Sequence, residues 1–147
     1  GRDDDAALAA LLADLPPRPA GVIDVVVGPC LTRADPFGTQ RLAGLTPRIP
    51  GGAGPADAVF VSRQTCGLGG AASDDPRPED PTRLARVVAH ELGHYLGLFH
   101  AEDADGAVDD LPDTTSENLM DRAPLRADAR GLTPAQVARL RAHPFVR

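Results

Sequence analysis

The sequence predicts an α+β fold in three layers. Two nearly continuous β-branched and apolar runs, 22–27 and 58–62, read as strands buried on both faces. Two stretches with helical spacing, 8–15 and 82–97, supply a helix to pack on the sheet and a central buried helix. A capping box at Thr133 opens a short final helix. The expected architecture is a small twisted, mostly parallel sheet with these helices around it. At 147 residues the chain suffices for one domain, 1–147. Its N-terminal part is expected at 1–97 and its shorter C-terminal part at 98–147.

Each element has a local reason. Asp3, Asp4 and Asp5 precede Leu8, Leu11, Leu12 and Leu15, the i, i+3, i+4, i+7 pattern of an amphipathic helix with acids at its positive end. Pro16 and Pro17 stop it. Its stripe is expected to pack on the sheet, with a partner protein as the other use. Residues 22–27 form the first strand. Between 31 and 57 Gly and Pro are dense. Short strands are expected around 40–43 and 46–49, the second confined to an edge by Pro47 and Pro50, with plain surface loop as the alternative. Residues 58–62 form the second buried strand. Gly67-Leu68-Gly69-Gly70 lacks the Lys-Ser/Thr ending of a phosphate loop and opens no helix, so it reads as a flexible connection. Residues 73–81 read as an acidic, proline-rich surface segment.

Thr82 is expected to cap the next helix, with Leu84, Val87, Val88, Leu92 and Leu96 apolar on more than one side, as in a central buried helix. Gly97 is the residue type that ends a helix in a left-handed turn. The acid-rich segment 102–113 has no period. Near the C-terminus Thr133-Pro134-Ala135-Gln136 combines a capping box with proline at the first helical position. Val137 and Leu140 are its expected buried side. His143 falls at the helix end, where a protonated imidazole suits the dipole; it reads as structural or exposed, not as a ligand.

Composition narrows the function. A formal net charge of −6 argues against nucleic acid and anionic membrane as partners. No apolar run approaches the ~18 residues of a spanning helix. Every basic side chain is Arg, which fits a biased coding sequence and carries no functional weight. The chain starts at Gly1, which points to a processed or trimmed form. Cys30 and Cys66 each follow a predicted strand. Were those strands parallel neighbours, a disulfide would be geometrically reasonable. Closing a loop of about 36 residues, it would contribute about 3–4 kcal/mol. Two free buried thiols are the alternative.

The stretch with the most chemistry is His90-Glu91-Leu92-Gly93-His94-Tyr95-Leu96-Gly97-Leu98-Phe99-His100. On a helix His90 and His94 lie one turn apart on one face, an arrangement in which two neutral imidazoles bind one zinc ion. Glu91 sits about 100° around the axis. There it reaches a water activated by the metal without being a ligand itself. A chain reversal at Gly97 brings His100 toward the same centre. Three histidines with one open position make a catalytic zinc rather than a structural one. A buried helix with hydrogen-bonded histidines is the bland alternative. It must account for a glutamate, a glycine and a third histidine all at the right offsets.

This motif, HExxHxxGxxH, resembles the zinc-binding segment of the metzincin metallopeptidases. Those enzymes carry a methionine in a tight turn beneath the zinc, and the chain's one methionine, Met120, falls twenty residues past His100 in Glu117-Asn118-Leu119-Met120-Asp121. The segment Val108-Asp109-Asp110-Leu111-Pro112-Asp113-Thr114 and the Asn118-Leu119-Met120 turn look most like the pappalysin group and related bacterial secreted proteases. The resemblance is specific from about residue 82 to 121. It implies a zinc-dependent endopeptidase with metal ligands His90, His94 and His100, catalytic Glu91, and Met120 packed under the imidazoles. It further implies secretion or another extracytoplasmic site, where disulfides persist, and a protein or peptide substrate. A monomer is expected. Some relatives place a tyrosine two residues after the methionine; here it is Arg122, which either leaves that function unfilled, supports the oxyanion or binds substrate. The alternative is a binding protein or toxin component that keeps the zinc but does not turn over, against which the intact Glu91 stands. Asp103, Asp105, Asp109, Asp110 and Asp113, near Gly106, offer oxygen ligands suited to calcium. A solvated acidic loop is the other reading.

Overall fold

The computed structural model describes residues 2–35, 38–54, 57–63, 80–103, 106–115, 117–122 and 131–146. In chain order these give α1 (Arg2–Ala13), β1 (Val25–Gly28), β2 (Leu31–Asp35), β3 (Gly38–Leu42), β4 (Gly44–Leu45), β5 (Val59–Ser62), α2 (Pro81–Tyr95) and α3 (Pro134–Ala142). A 3₁₀ turn, Pro144–Val146, follows. The class is α+β. The strands make a three-stranded sheet in the order β1-β5-β4 and a separate β2–β3 hairpin.

The two β-branched runs pair in parallel, Val25 opposite Val59 through Gly28 opposite Ser62. The sheet is mixed rather than mostly parallel, because β4 joins the other edge of β5 antiparallel, Gly44 opposite Val61 and Leu45 opposite Phe60. Among the described strands β5 is the one buried on both faces. β1 was expected to be so, but among the described strands it lies at the sheet's edge and its exposure alternates. Val25 and Val27 stay largely open on the face away from the core. Its apolar run reflects β propensity as much as burial. Of the short strands expected between 31 and 57, the one around 40–43 overlaps the end of β3, which pairs with β2. Residues 46–49 form no strand; Thr46 follows the two-residue β4 directly.

The core joins β5 to α2. Val59, Val61, Val87 and Tyr95 are its buried centre, with Leu84, Val88, Leu92, Leu96, Ile23, Ala43 and Phe145 packed around them. Burial of such side chains contributes about 1.5–3 kcal/mol each. Ser62 sews the hairpin to this core: its hydroxyl donates to the Leu42 carbonyl at 2.8 Å and accepts from the Leu31 amide at 2.9 Å. α1 is not among the elements packed closely on the sheet. Leu11 and Leu15 remain about half exposed. Leu12 and Ala13 instead border a groove shared with residues 15–22 and Phe145.

The N-cap of α2 is Asp80, not Thr82. Its carboxylate accepts from the Thr82 and Arg83 amides at 3.0 and 3.1 Å, and Pro81 takes the first helical position, where its missing N–H costs nothing. The helix closes as expected at Gly97, with φ +98°. The Leu98 amide donates to Gly93 O and the Gly97 amide to His94 O, both at 2.9 Å, the paired bonds of a left-handed helix terminus. α3 opens on the Thr133–Gln136 capping box. Its buried residue is Gln136; Val137 and Leu140 are only half-buried. His143 is buried rather than exposed, stacked on Phe145. Gly67–Gly70 and the segment 73–79 lie outside the described residues, as does Cys66, and with it the Cys30–Cys66 pairing. Among the described residues no cysteine is free, and no helix is long and apolar enough to cross a membrane.

Candidate metal centre

α2 carries His90 and His94 one turn apart on its buried side, and the left-handed turn at Gly97 returns the chain so that His100 meets them. Nε2 of His94 lies 3.0 Å from Nε2 of His90 and 3.1 Å from Nε2 of His100. The three rings offer ligand atoms within 4.8 Å of one another, close enough to hold one metal ion. The other ring nitrogens are committed elsewhere. Nδ1–H of His90 donates to Leu119 O at 2.7 Å and Nδ1–H of His94 to Leu98 O at 2.8 Å. Nδ1 of His100 pairs with Asp103 Oδ1 at 2.6 Å. A carbonyl oxygen only accepts, so the protons of His90 and His94 sit on Nδ1 and their Nε2 lone pairs face inward. Convergent lone pairs repel one another without a cation between them, and that is the chemical fit to a metal. Tetrahedral imidazole ligands at about 2.0–2.1 Å from zinc would stand about 3.3 Å apart, close to the spacing found. Acceptors on the outer nitrogen fix ring orientation and raise ligand basicity.

Burial dominates the electrostatics. It pushes His90 and His94 down to about 4, against the opposing hydrogen bonds to Leu119 and Leu98. Burial also raises Glu91 to about 7, with the Thr46 hydrogen bond opposing. Glu91 is 6% exposed. The Thr46 hydroxyl lies 2.8 Å from its Oε2 and 2.9 Å from its main-chain carbonyl. Gly44 covers the same carboxyl: a Cβ there would stand 2.5 Å from Glu91 Cγ and 2.6 Å from Oε1. Glu91 and the three histidines share one cleft of about 620 Å³ under the β4 edge.

These shifts predict how the metal-free protein responds to pH. Depressed histidines favour the fold above about 6.5 and lose that contribution as pH falls toward 4. A raised Glu91 acts oppositely, favouring the fold at low pH and losing that contribution as pH rises through 7. Near pH 5.5 two histidines outweigh one glutamate. The unfolded chain then binds about one more proton, and these three groups make stability rise by about 1 kcal/mol per pH unit. Urea unfolding of chelator-treated protein from pH 5 to 6 should show the midpoint climbing; a flat or falling midpoint would contradict histidines buried as neutral rings.

Met120 is fully buried against α2 at Gly93. A Cβ at Gly93 would come within 2.6 Å of its Sδ, so only glycine admits the methionine there. The turn is held by Asn118, whose Oδ1 accepts from the Met120 amide at 2.7 Å, and by the Ala101 amide on Met120 O. The same turn presents Leu119 O to His90. Arg122 is exposed and lines the cleft.

The aspartates expected to cage calcium diverge. Asp103 holds His100, Asp109 accepts from the Leu111 amide, and Asp110 grips Arg139 through both oxygens at 2.6 and 2.8 Å. Asp113 accepts from Thr133 Oγ1 and the Ala135 amide. Asp105 lies outside the described residues. Among the described residues the histidines are the only metal-sized group, because each acid is drawn to a partner of its own.

Thr46 and Gly44 are the site residues that sequence patterning missed; nothing local distinguishes either, since their partner is 45 residues further on in the case of Thr46. Compared with protein-family models, curated proteins and solved structures, the chain matches none.

Proposed function

We propose that this chain is a zinc-dependent endopeptidase of metzincin type, as its HExxHxxGxxH segment and Met120 turn suggest. The observation that carries the reading is the convergence of three Nε2 atoms beside a buried carboxyl in one open cleft. His90, His94 and His100 are the groups that would hold the zinc. When bound, zinc polarises a carbonyl and makes a water available as nucleophile at neutral pH.

The chain's own residues do the rest. Glu91 takes the proton of the attacking water and delivers it to the leaving amine; a carboxyl poised near 7 suits both transfers. Thr46 and Gly44 fix its rotamer. β4, a free edge among the described strands, offers unpaired backbone groups to an extended peptide. Met120 keeps the imidazoles in place from below. Secretion and a protein substrate belong to the same reading.

The test is digestion of an unstructured protein. Cleavage should stop with chelator and return with one equivalent of zinc. One zinc bound per chain with no cleavage of any substrate would favour the non-catalytic binding protein instead.

A further inference from the structure

The cleft carries a pattern that neither metal binding nor proton transfer uses. Arg33 and Arg41 from the β2–β3 hairpin and Arg122 from the turn after Met120 all line it. All three are exposed, on a chain whose formal charge is −6, so their meeting is no overspill from a basic surface. The acids of the same lining are engaged: Asp103 with His100 at 2.6 Å, and Glu91 with Thr46 beneath β4. The same lining includes the apolar side chains of Leu42, Leu45 and Ile49. Arg33 makes one long bond, 3.5 Å to Gln40 Oε1, which uses one of its five donors. Arg41 has further contacts within the protein and counts here as a source of field rather than as an open donor.

Three guanidiniums against one exposed carboxylate, Asp103, leave this concave, partly apolar cleft with an excess of positive charge, and a concave cleft concentrates such a field. Guanidinium stays charged at any working pH and matches a carboxylate bidentately. Resting on the peptidase reading, we infer that this cleft selects acidic peptides: chains with Asp or Glu flanking the scissile bond, with Arg33, Arg41 and Arg122 as the specificity-determining residues. The same charges disfavour lysine and arginine at those positions.

The experiment compares fluorogenic peptides that differ only as Asp against Asn, or Glu against Gln, at the positions flanking the bond, on zinc-loaded protein. The acidic member should have the higher kcat/KM, by about fivefold per engaged carboxylate. The ratio should shrink between 0.01 M and 1 M salt, as the screening length falls from about 30 to about 3 Å. It should also collapse in Arg33→Gln/Arg41→Gln/Arg122→Gln, with zinc content and melting temperature verifying the fold; should that variant fail to fold, the salt series on wild type decides. A ratio within about twofold of one, unmoved by salt, overturns the inference.

A second arm separates it from the peptidase reading. Fluorescence polarisation measures binding of the same peptides to zinc-loaded Glu91→Gln. Tighter binding of the acidic member while the wild type cuts nothing would remove the peptidase and leave the charge selection. Equal cutting of both members would do the reverse.

Discussion

Zinc-loaded Glu91→Ala should cleave peptides about 10³-fold more slowly than wild type and keep its metal, since removing a general base costs on the order of 10²–10⁴ in rate. The carboxyl is not part of the histidine group, so the donor set survives the change. The loss should fall on kcat rather than KM, because the proton moves only on the way to the transition state. Glu91→Gln serves as the companion variant: it keeps the side chain's shape beneath Gly44 and an acceptor for the Thr46 hydroxyl, so an equal loss there rules out collapse of the pocket. Metal content and cleavage rate are to be measured on the same sample. Cleavage near the wild-type rate in either variant would remove Glu91 from its assigned role.

Gly44→Ala should cost about 10²-fold in kcat with zinc retained. The added Cβ would stand 2.5 Å from Glu91 Cγ, 2.6 Å from Oε1 and 2.8 Å from Cδ, so the carboxyl must move by several tenths of an ångström or more. Misplacing a catalytic group by about 1 Å can cost that factor. The backbone at Gly44 lies within a strand and has no left-handed φ, so alanine adds no backbone strain, and the nearest atoms it meets belong to the glutamate. Metal content, melting temperature and the kcat/KM split distinguish this from general damage. A variant that cuts as fast as wild type would show that the carboxyl is not held by β4.

The parts of the site legible in the sequence are those made by contacts close along the chain. Helical spacing places His90 and His94 together, and the left-handed preference of Gly97 turns the chain back toward His100. The Thr133 box and the core positions Val59, Val61 and Val87 were readable for the same reason: local geometry decides them. What escaped was settled by distant partners. Thr46 has no mark of its own until it meets Glu91. Val25 and Val27 have the composition of an interior strand, yet no further strand pairs with β1 among the described residues. The acids of 103–113 look like a cage in sequence because the partners of Asp110 and Asp113, Arg139 and Thr133, lie 29 and 20 residues further on. Asp80 against Thr82 as helix cap was decided by Pro81, whose fixed φ suits the first turn better than the position before it.

The span of chain that builds each half of the centre sets its order of assembly. All three histidines and the acceptors of their outer nitrogens lie between residues 90 and 119. The clamp on Glu91 must close a separation of 45 residues and needs β4 seated on β5. Short loops close at lower entropic cost and sooner than long ones. On the peptidase reading, the metal half would then form while the sheet is still undocked, and zinc uptake would precede competence. A preparation loaded to one zinc per chain but trapped before β4 docks would be inert, so metal stoichiometry measures the maturity of one half of the site only.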